Sequence, residues 1–339
     1  MELQPRKFRA PDLRSEYWFN SDPVMLEDLR GYPVLVHFWD YTSLSSLRTL
    51  PYINEWHRRY AEKGLFVFGV HAPVFPFAKD PAVIRKTIQR LEIRYPVVMD
   101  NDFMIWGAYR NTMWPSRFIV DRDGFIRYVH PGEGAYQDFE HSLQAMLAES
   151  GYRGDFPLIM DPLRETDRAG AICYKSTPEI FAGYQRGSIG NIEGSSPETT
   201  LQYADPGYYL EGRIYLHGNW LTNRNFLKLD EHEGREGYVV LTYHAKEVNI
   251  VAKPEGEEQF QVFVQQDDRF LSSESRGDDV AIDEEGRSYF LVKEPRLYSI
   301  VKNREYGEHK LKLSCRSNGL ALFSFSFVSA IIPDLISNN

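Results

Sequence analysis

Between residues 34 and 150 short apolar runs alternate with helix-length segments, and this alternation restricts the chain more than any other feature. Val34-Leu35-Val36-His37-Phe38-Trp39 is nearly continuous in apolar character, as expected of a strand covered on both faces. Leu47 to Lys63 reads as a helix and Leu65-Phe66-Val67-Phe68-Gly69-Val70 as the next strand, so the pair is parallel and joined by a crossover. The same reading predicts a helix over 81–91, a short strand over 95–99 and a helical turn over 103–109. Strands at 116–121 and 125–130 follow, with Asp123-Gly124 as the hairpin turn between them. A helix over 135–150 closes an α/β domain, residues 1–150.

The pattern then changes. Residues 151–185 carry Gly, Pro and charge without a sustained period and read as a linker. Beyond them, 238–243, 248–252, 260–264, 289–292, 297–301, 310–315 and 320–328 are short apolar or alternating runs separated by turn formers. That spacing predicts an all-β sandwich or jelly roll over 186–330. A chain of 339 residues suits two domains.

Charge narrows the partners. The 48 acidic side chains exceed the 39 basic ones, a net charge of -9, which argues against a broad nucleic-acid footprint. No run approaches the roughly 20 apolar residues of a membrane helix, and residues 1–20 lack a signal-peptide core. The expectation is a cytoplasmic protein without membrane insertion; an extracytoplasmic one would require a trimmed N-terminus. Cys173 and Cys315 are too few for a disulfide scaffold or for a zinc site by themselves, and they read as free thiols.

The stretch from Val34 through Phe38-Trp39-Asp40-Tyr41-Thr42-Ser43-Leu44-Ser45-Ser46 to Pro51 resembles the start of a thioredoxin-like domain of the TlpA/DipZ type. In that family an apolar strand ending in Phe-Trp runs into Cys-x-x-Cys at a helix start, and a proline five residues later bends the helix. Pro51 matches that proline, and Ser43 and Ser46 fall on the two cysteine positions. Asn111-Thr112-Met113-Trp114-Pro115-Ser116-Arg117-Phe118 is similar to the family's proline loop, which makes Pro115 the expected cis-proline. Gly132-Glu133-Gly134 matches the neighbouring loop. Three later stretches, around Thr177-Pro178-Glu179, Leu241 to Val251 and Leu322 to Phe327, resemble the DipZ C-terminal region, a jelly roll similar to carbohydrate-binding modules. The resemblance therefore implies a thioredoxin fold followed by a jelly roll.

A helix N-terminus lowers a thiol pKa and a second thiol resolves the mixed disulfide. Serine does neither, so disulfide exchange through this pair is excluded. Where the DipZ pattern has a glutamate after Pro73, this chain has Val74, and loss of the acid together with both thiols favours natural decay of the redox apparatus. The first reading is thus a non-redox binding protein whose groove, with Trp39, Trp114, Pro115 and Glu133, accepts an extended peptide or protein segment. A second takes Ser43 and Ser46 as replacements in an active thiol:disulfide oxidoreductase, marking the attacking and the resolving thiol. A third makes the jelly roll a glycan-binding module, with Trp220, Tyr209 and Tyr243 as stacking rings.

His37 occupies the place of the buried acid of many thioredoxins and reads as a core histidine. Ser43, Asp40 and His37 or His71 supply the residue types of a hydrolytic triad, but no nucleophile elbow is present. Two histidines without a third ligand make no metal site, and no cofactor is implied.

Overall fold

A computed structural model describes residues 8–230, 235–256 and 259–333. The chain divides into two compact units, Met1–Gly170 and Ala171–Asn339.

The first unit is built on β1 (Trp18–Phe19), β2 (Val34–Trp39), β3 (Phe66–His71), β4 (Val97–Met99), β5 (Ser116–Val120) and β6 (Ile126–Pro131). Its helices are α1 (Leu44–Tyr60), α2 (Pro81–Arg90), α3 (Met104–Ala108) and α4 (Tyr136–Glu149). The sheet runs in the order β1-β4-β3-β2-β5-β6. β2, β3 and β4 are parallel, while β5 and β6 return antiparallel. This is a thioredoxin-like sheet with β2 at its centre.

All six residues of β2 are buried, which is why the sequence shows no alternation there. The period of two survives in the packing. Leu35 and Trp39 join Ile53 and Trp56 of α1 and Phe139 and Leu143 of α4 on one face. Val34, Val36 and Phe38 pack with Val70, Phe118 and Ile105 on the other. α1 starts three residues before the expected position because Ser43 caps it. α1 also ends three residues early, at Tyr60, and β1 was not expected; the other strands and helices named above lie within two residues of expectation.

The second unit contains β7 (Ile180–Phe181), β8 (Thr199–Tyr203), β9 (Tyr215–Thr222), β10 (Leu227–Leu229), β11 (Gly237–Pro254) and β12 (Phe260–Gln266). It continues with β13 (Arg269–Phe270), β14 (Val280–Ile282), β15 (Ser288–Val292), β16 (Arg296–Cys315) and β17 (Leu320–Val328). One antiparallel path, β14-β15-β12-β16-β11-β17-β10-β9-β8, links them. Trp220, Ile250, Val262 and Phe290, from different parts of that path, are wholly buried in one core. Among the described residues no α-helix covers this sheet, so the sheet must fold over itself to keep water from both flanks of the core.

Two pairs of runs that the sequence separates are single strands. The 238–243 and 248–252 runs form β11, and 297–301 with 310–315 form β16. Their polar middles interrupt the apolar pattern without interrupting pairing, and β11 takes up the change through register shifts at Ala245/Glu247 and Val248/Asn249. The short strands β7, β8, β10, β13 and β14, and the longer β9, were not foreseen. The segment 151–185 is shared: residues up to Gly170 belong to the first unit and β7 pairs with β17.

Ile53 lies wholly buried between α1 and the sheet. Ile53→Ala should therefore destabilise the first unit by about 2–5 kcal/mol, read from urea unfolding at unchanged m-value.

Candidate functional site at the start of the first long helix

β2 ends at Trp39, and within four residues the chain enters α1. Ser43 is the N-cap, in extended backbone, and its Oγ accepts the Ser46 N–H at 3.3 Å. Ser46 is wholly buried, and its Oγ accepts the Asp40 N–H at 3.3 Å. One hydroxyl thus stands half-exposed at the mouth of the helix and the other behind it. The Ser43 hydroxyl takes a donor that the helix start leaves free, and the Ser46 hydroxyl takes one just past the end of β2. Pro51 lies inside α1.

Asp40, wholly buried, organises this corner. Its carboxylate accepts the N–H of Thr42 at 2.6 Å, the Thr42 hydroxyl, and the N–H of Val74 at 2.9 Å. His71 Nε2 is 3.4 Å away. Strand end, helix entry and the 72–74 segment are held by one side chain. Asp40 entered the sequence reading only as a member of a triad; among the described contacts no histidine bonds Ser43, whose hydroxyl is engaged at the cap.

Trp114–Pro115 is a cis peptide. Phe38 pairs with Ser116, which brings Pro115 beside the end of β2 and the helix entry. Trp114 is half-buried; its Nε1 donates to Ala72 O at 2.8 Å and its ring packs 4.2 Å from Trp106. Trp39 differs from expectation: it is wholly buried in the core and faces no groove, because the burial that ends β2 encloses its last side chain.

Glu133 is not a waiting contact. Arg48 Nε meets its Oε1 at 2.5 Å, and Arg164 Nη2 lies 3.9 Å from the same oxygen. Burial works against the Arg48 charge, but Glu133 and Asp167 hold its pKa above the ordinary value. Arg164 pairs with Asp167 at 2.9 Å, Tyr52 OH donates to Asp167 at 2.8 Å, and Arg164 also donates to the Arg48 carbonyl. The residues after α4 thus form a strap tied to α1.

His37 and Arg117 face each other across β2 and β5, both wholly buried. Burial first, and then the Arg117 charge, push His37 down to about 3. Arg117 is itself pushed down to about 10 by burial. It donates to Gly134 O at 2.5 Å and lies 4.9 Å from the Tyr136 ring and 4.8 Å from Phe139. A cation caged by rings and one carbonyl recovers part of its lost hydration. The sequence signal for Arg117 was present, a charge inside an otherwise apolar strand, as was Arg48 two residues after Ser46.

In the second unit Trp220 and Tyr243 are wholly buried and offer no face to a sugar, since they fill the core that the folded-over sheet encloses. Tyr209 is half-buried, with its hydroxyl on Asp205 at 2.9 Å. Neither Cys173 nor Cys315 is in a disulfide, and burial raises the Cys315 thiol pKa.

Comparison with known proteins fits this geometry. The AhpC/TSA family matches residues 7–129 and the thioredoxin like C-terminal domain matches residues 177–327. The DipZ proteins of Mycobacterium bovis and Mycobacterium tuberculosis are each 32% identical over 250 residues, 71% of this chain and 34% of theirs. The chain carries an AhpC/TSA region followed by a thioredoxin like C-terminal domain, and it is similar to the DipZ proteins. It spans about a third of the length of those DipZ proteins. The thiol-disulfide oxidoreductase YkuV of Bacillus subtilis is 27% identical over 141 residues, 41% of this chain and 95% of that protein. The chain is therefore thiol-disulfide oxidoreductase-like in sequence, and it carries serine at positions 43 and 46. Among its described residues no helix is long and apolar enough to cross a membrane.

A histidine whose folded pKa lies far below its ordinary 6.5 remains neutral in the native state while the unfolded chain takes up a proton. Native stability from His37 is thus present above pH 6.5 and lost as pH falls towards 3. Urea midpoints at pH 7 and pH 4.5 should fall further in the parent protein than in His37→Val. An equal fall in both would show that His37 does not contribute to the acid response.

Proposed function

We propose that the first domain binds an extended peptide in the groove beside Ser43, Trp114 and Pro115, without exchanging disulfides with it. The observation that carries this is a complete thioredoxin-like corner, with strand end, capped helix start and proline loop in place, in which both reactive positions are serine. Hydroxyls at those positions cannot form the low-pKa thiolate or store two electrons as a bond. What survives is the recognition surface. The Trp114 backbone N–H and C=O carry no hydrogen bond among the described residues, which leaves them for a passing strand. Around them Met113 is exposed and Trp106 and Trp114 are half-buried, an apolar wall that suits side chains other than cysteine.

Unfolded, carboxymethylated insulin chains test the proposal, because they contain no thiol. They should shift the tryptophan fluorescence saturably, and Trp114→Ala should weaken binding by about tenfold, the effect of truncating an aromatic anchor. Indifference of the parent protein to these chains would remove the peptide groove.

The decay of the redox apparatus is tested separately. Ser43→Cys with Ser46→Cys should give a protein that forms the disulfide but, with dithiothreitol as the reductant, catalyses insulin reduction slowly, and adding Val74→Glu should raise the rate by supplying the acid of the DipZ pattern. Full activity of the double variant alone would show that only the thiols were missing.

A further inference from the structure

The outer face of the second domain's sheet holds a groove that the first domain's chemistry does not involve. Residues opposite one another on neighbouring strands point to the same side. Tyr238 pairs with Ser314, Ser314 with Phe263 and Phe263 with Tyr289. Two residues along, Lys312 pairs with Gln265 and Gln265 with Phe270. The intervening Leu311, Leu313, Val262 and Val264 point into the core. The groove so formed has a volume of about 440 Å³, within the range of small-molecule sites.

Its lining is unusual for a chain of net charge -9. Lys312, Arg316 and Arg287 line it against one carboxylate, Glu236. Arg287 is committed to Asp283 at 2.8 Å and Glu285 at 3.0 Å. Lys312 has no carboxylate partner among the described residues; its ammonium rests 3.7 Å over the Tyr238 ring. Arg316 is exposed and likewise without an ion pair among them. Phe270 is 37% exposed, and its ring meets Phe263 edge-on with centroids 6.4 Å apart. Two cations without a carboxylate partner among the described residues and an uncovered ring therefore stand within one groove, beside the Gln265 amide and the Ser314 hydroxyl.

We propose that this groove binds a small organic anion with a flat apolar body. Lys312 and Arg316 take the charged group, Phe270 takes the flat body, and Gln265 and Ser314 supply hydrogen bonds between them. An inorganic anion would leave the ring exposed to water, and a neutral aromatic molecule would leave the cations unanswered. Both halves of the ligand are therefore required.

Indole-3-acetate, its neutral counterpart indole-3-acetamide and inorganic phosphate separate these terms when titrated into the full chain by calorimetry or NMR. Indole-3-acetate should bind saturably and about tenfold or more tighter than the acetamide, since a charged hydrogen-bonding partner is roughly twice as strong as a neutral one. Lys312→Met and Phe270→Ala should each lower that affinity by a similar factor, and added salt should weaken it in the parent. Both side chains sit on the surface, and far-ultraviolet circular dichroism would establish that the variants are folded. The proposal is overturned by absence of saturable binding, by equal affinity for the acetamide, by phosphate binding as tightly as indole-3-acetate, or by affinity unchanged in both variants.

Discussion

The first domain depends on the carboxylate of Asp40. A buried carboxylate is costly to remove from water unless its oxygens are fully engaged, and here the Thr42 amide and hydroxyl and the Val74 amide engage them. In return, the end of β2, the entry to α1 and the segment after β3 are fixed together. The relation between the helix start and the 72–74 segment is thus maintained by a carboxylate, two amides and a hydroxyl. With serine at 43 and 46 the corner keeps its shape, because Asp40 and its partners hold it.

The serines fit the same picture. Ser43 accepts a backbone N–H at the helix start and Ser46 accepts one just past the end of β2, so each has a structural role. In the same sheet, His37 and Arg117 pair across β2 and β5, both wholly buried. Without a carboxylate to share, the histidine is held neutral and the guanidinium is left to aromatic rings and the Gly134 carbonyl. That carbonyl belongs to the loop bearing Glu133, which links the core to the edge of the groove.

Much of this was legible in the sequence where local pattern and local structure coincide. The continuous run of β2, the Asp123-Gly124 turn and the serine at a helix start each state their conformation through nearest neighbours. The second domain was harder to read. β11 and β16 are stabilised by pairing along their whole length, including polar stretches such as Lys246-Glu247 that carry no strand signal of their own. Burial was also hidden. Aromatic residues are abundant in this chain, and nothing local distinguishes Trp220, enclosed by strands distant in sequence, from a ring facing solvent. Glu133 looked like an open contact for the same reason, since its partner Arg48 lies 85 residues away.

The strap after α4 has a practical corollary for dissecting the molecule. Arg164, Thr166 and Asp167 meet Arg48 and Tyr52, and Met160 N–H donates to the buried Glu140. A fragment cut after α4, where the regular secondary structure stops, would strip partners from Glu140, Tyr52 and Arg48 at once. The compact first unit extends some twenty residues past its last long helix, and ion pairs and hydrogen bonds tie those residues to it.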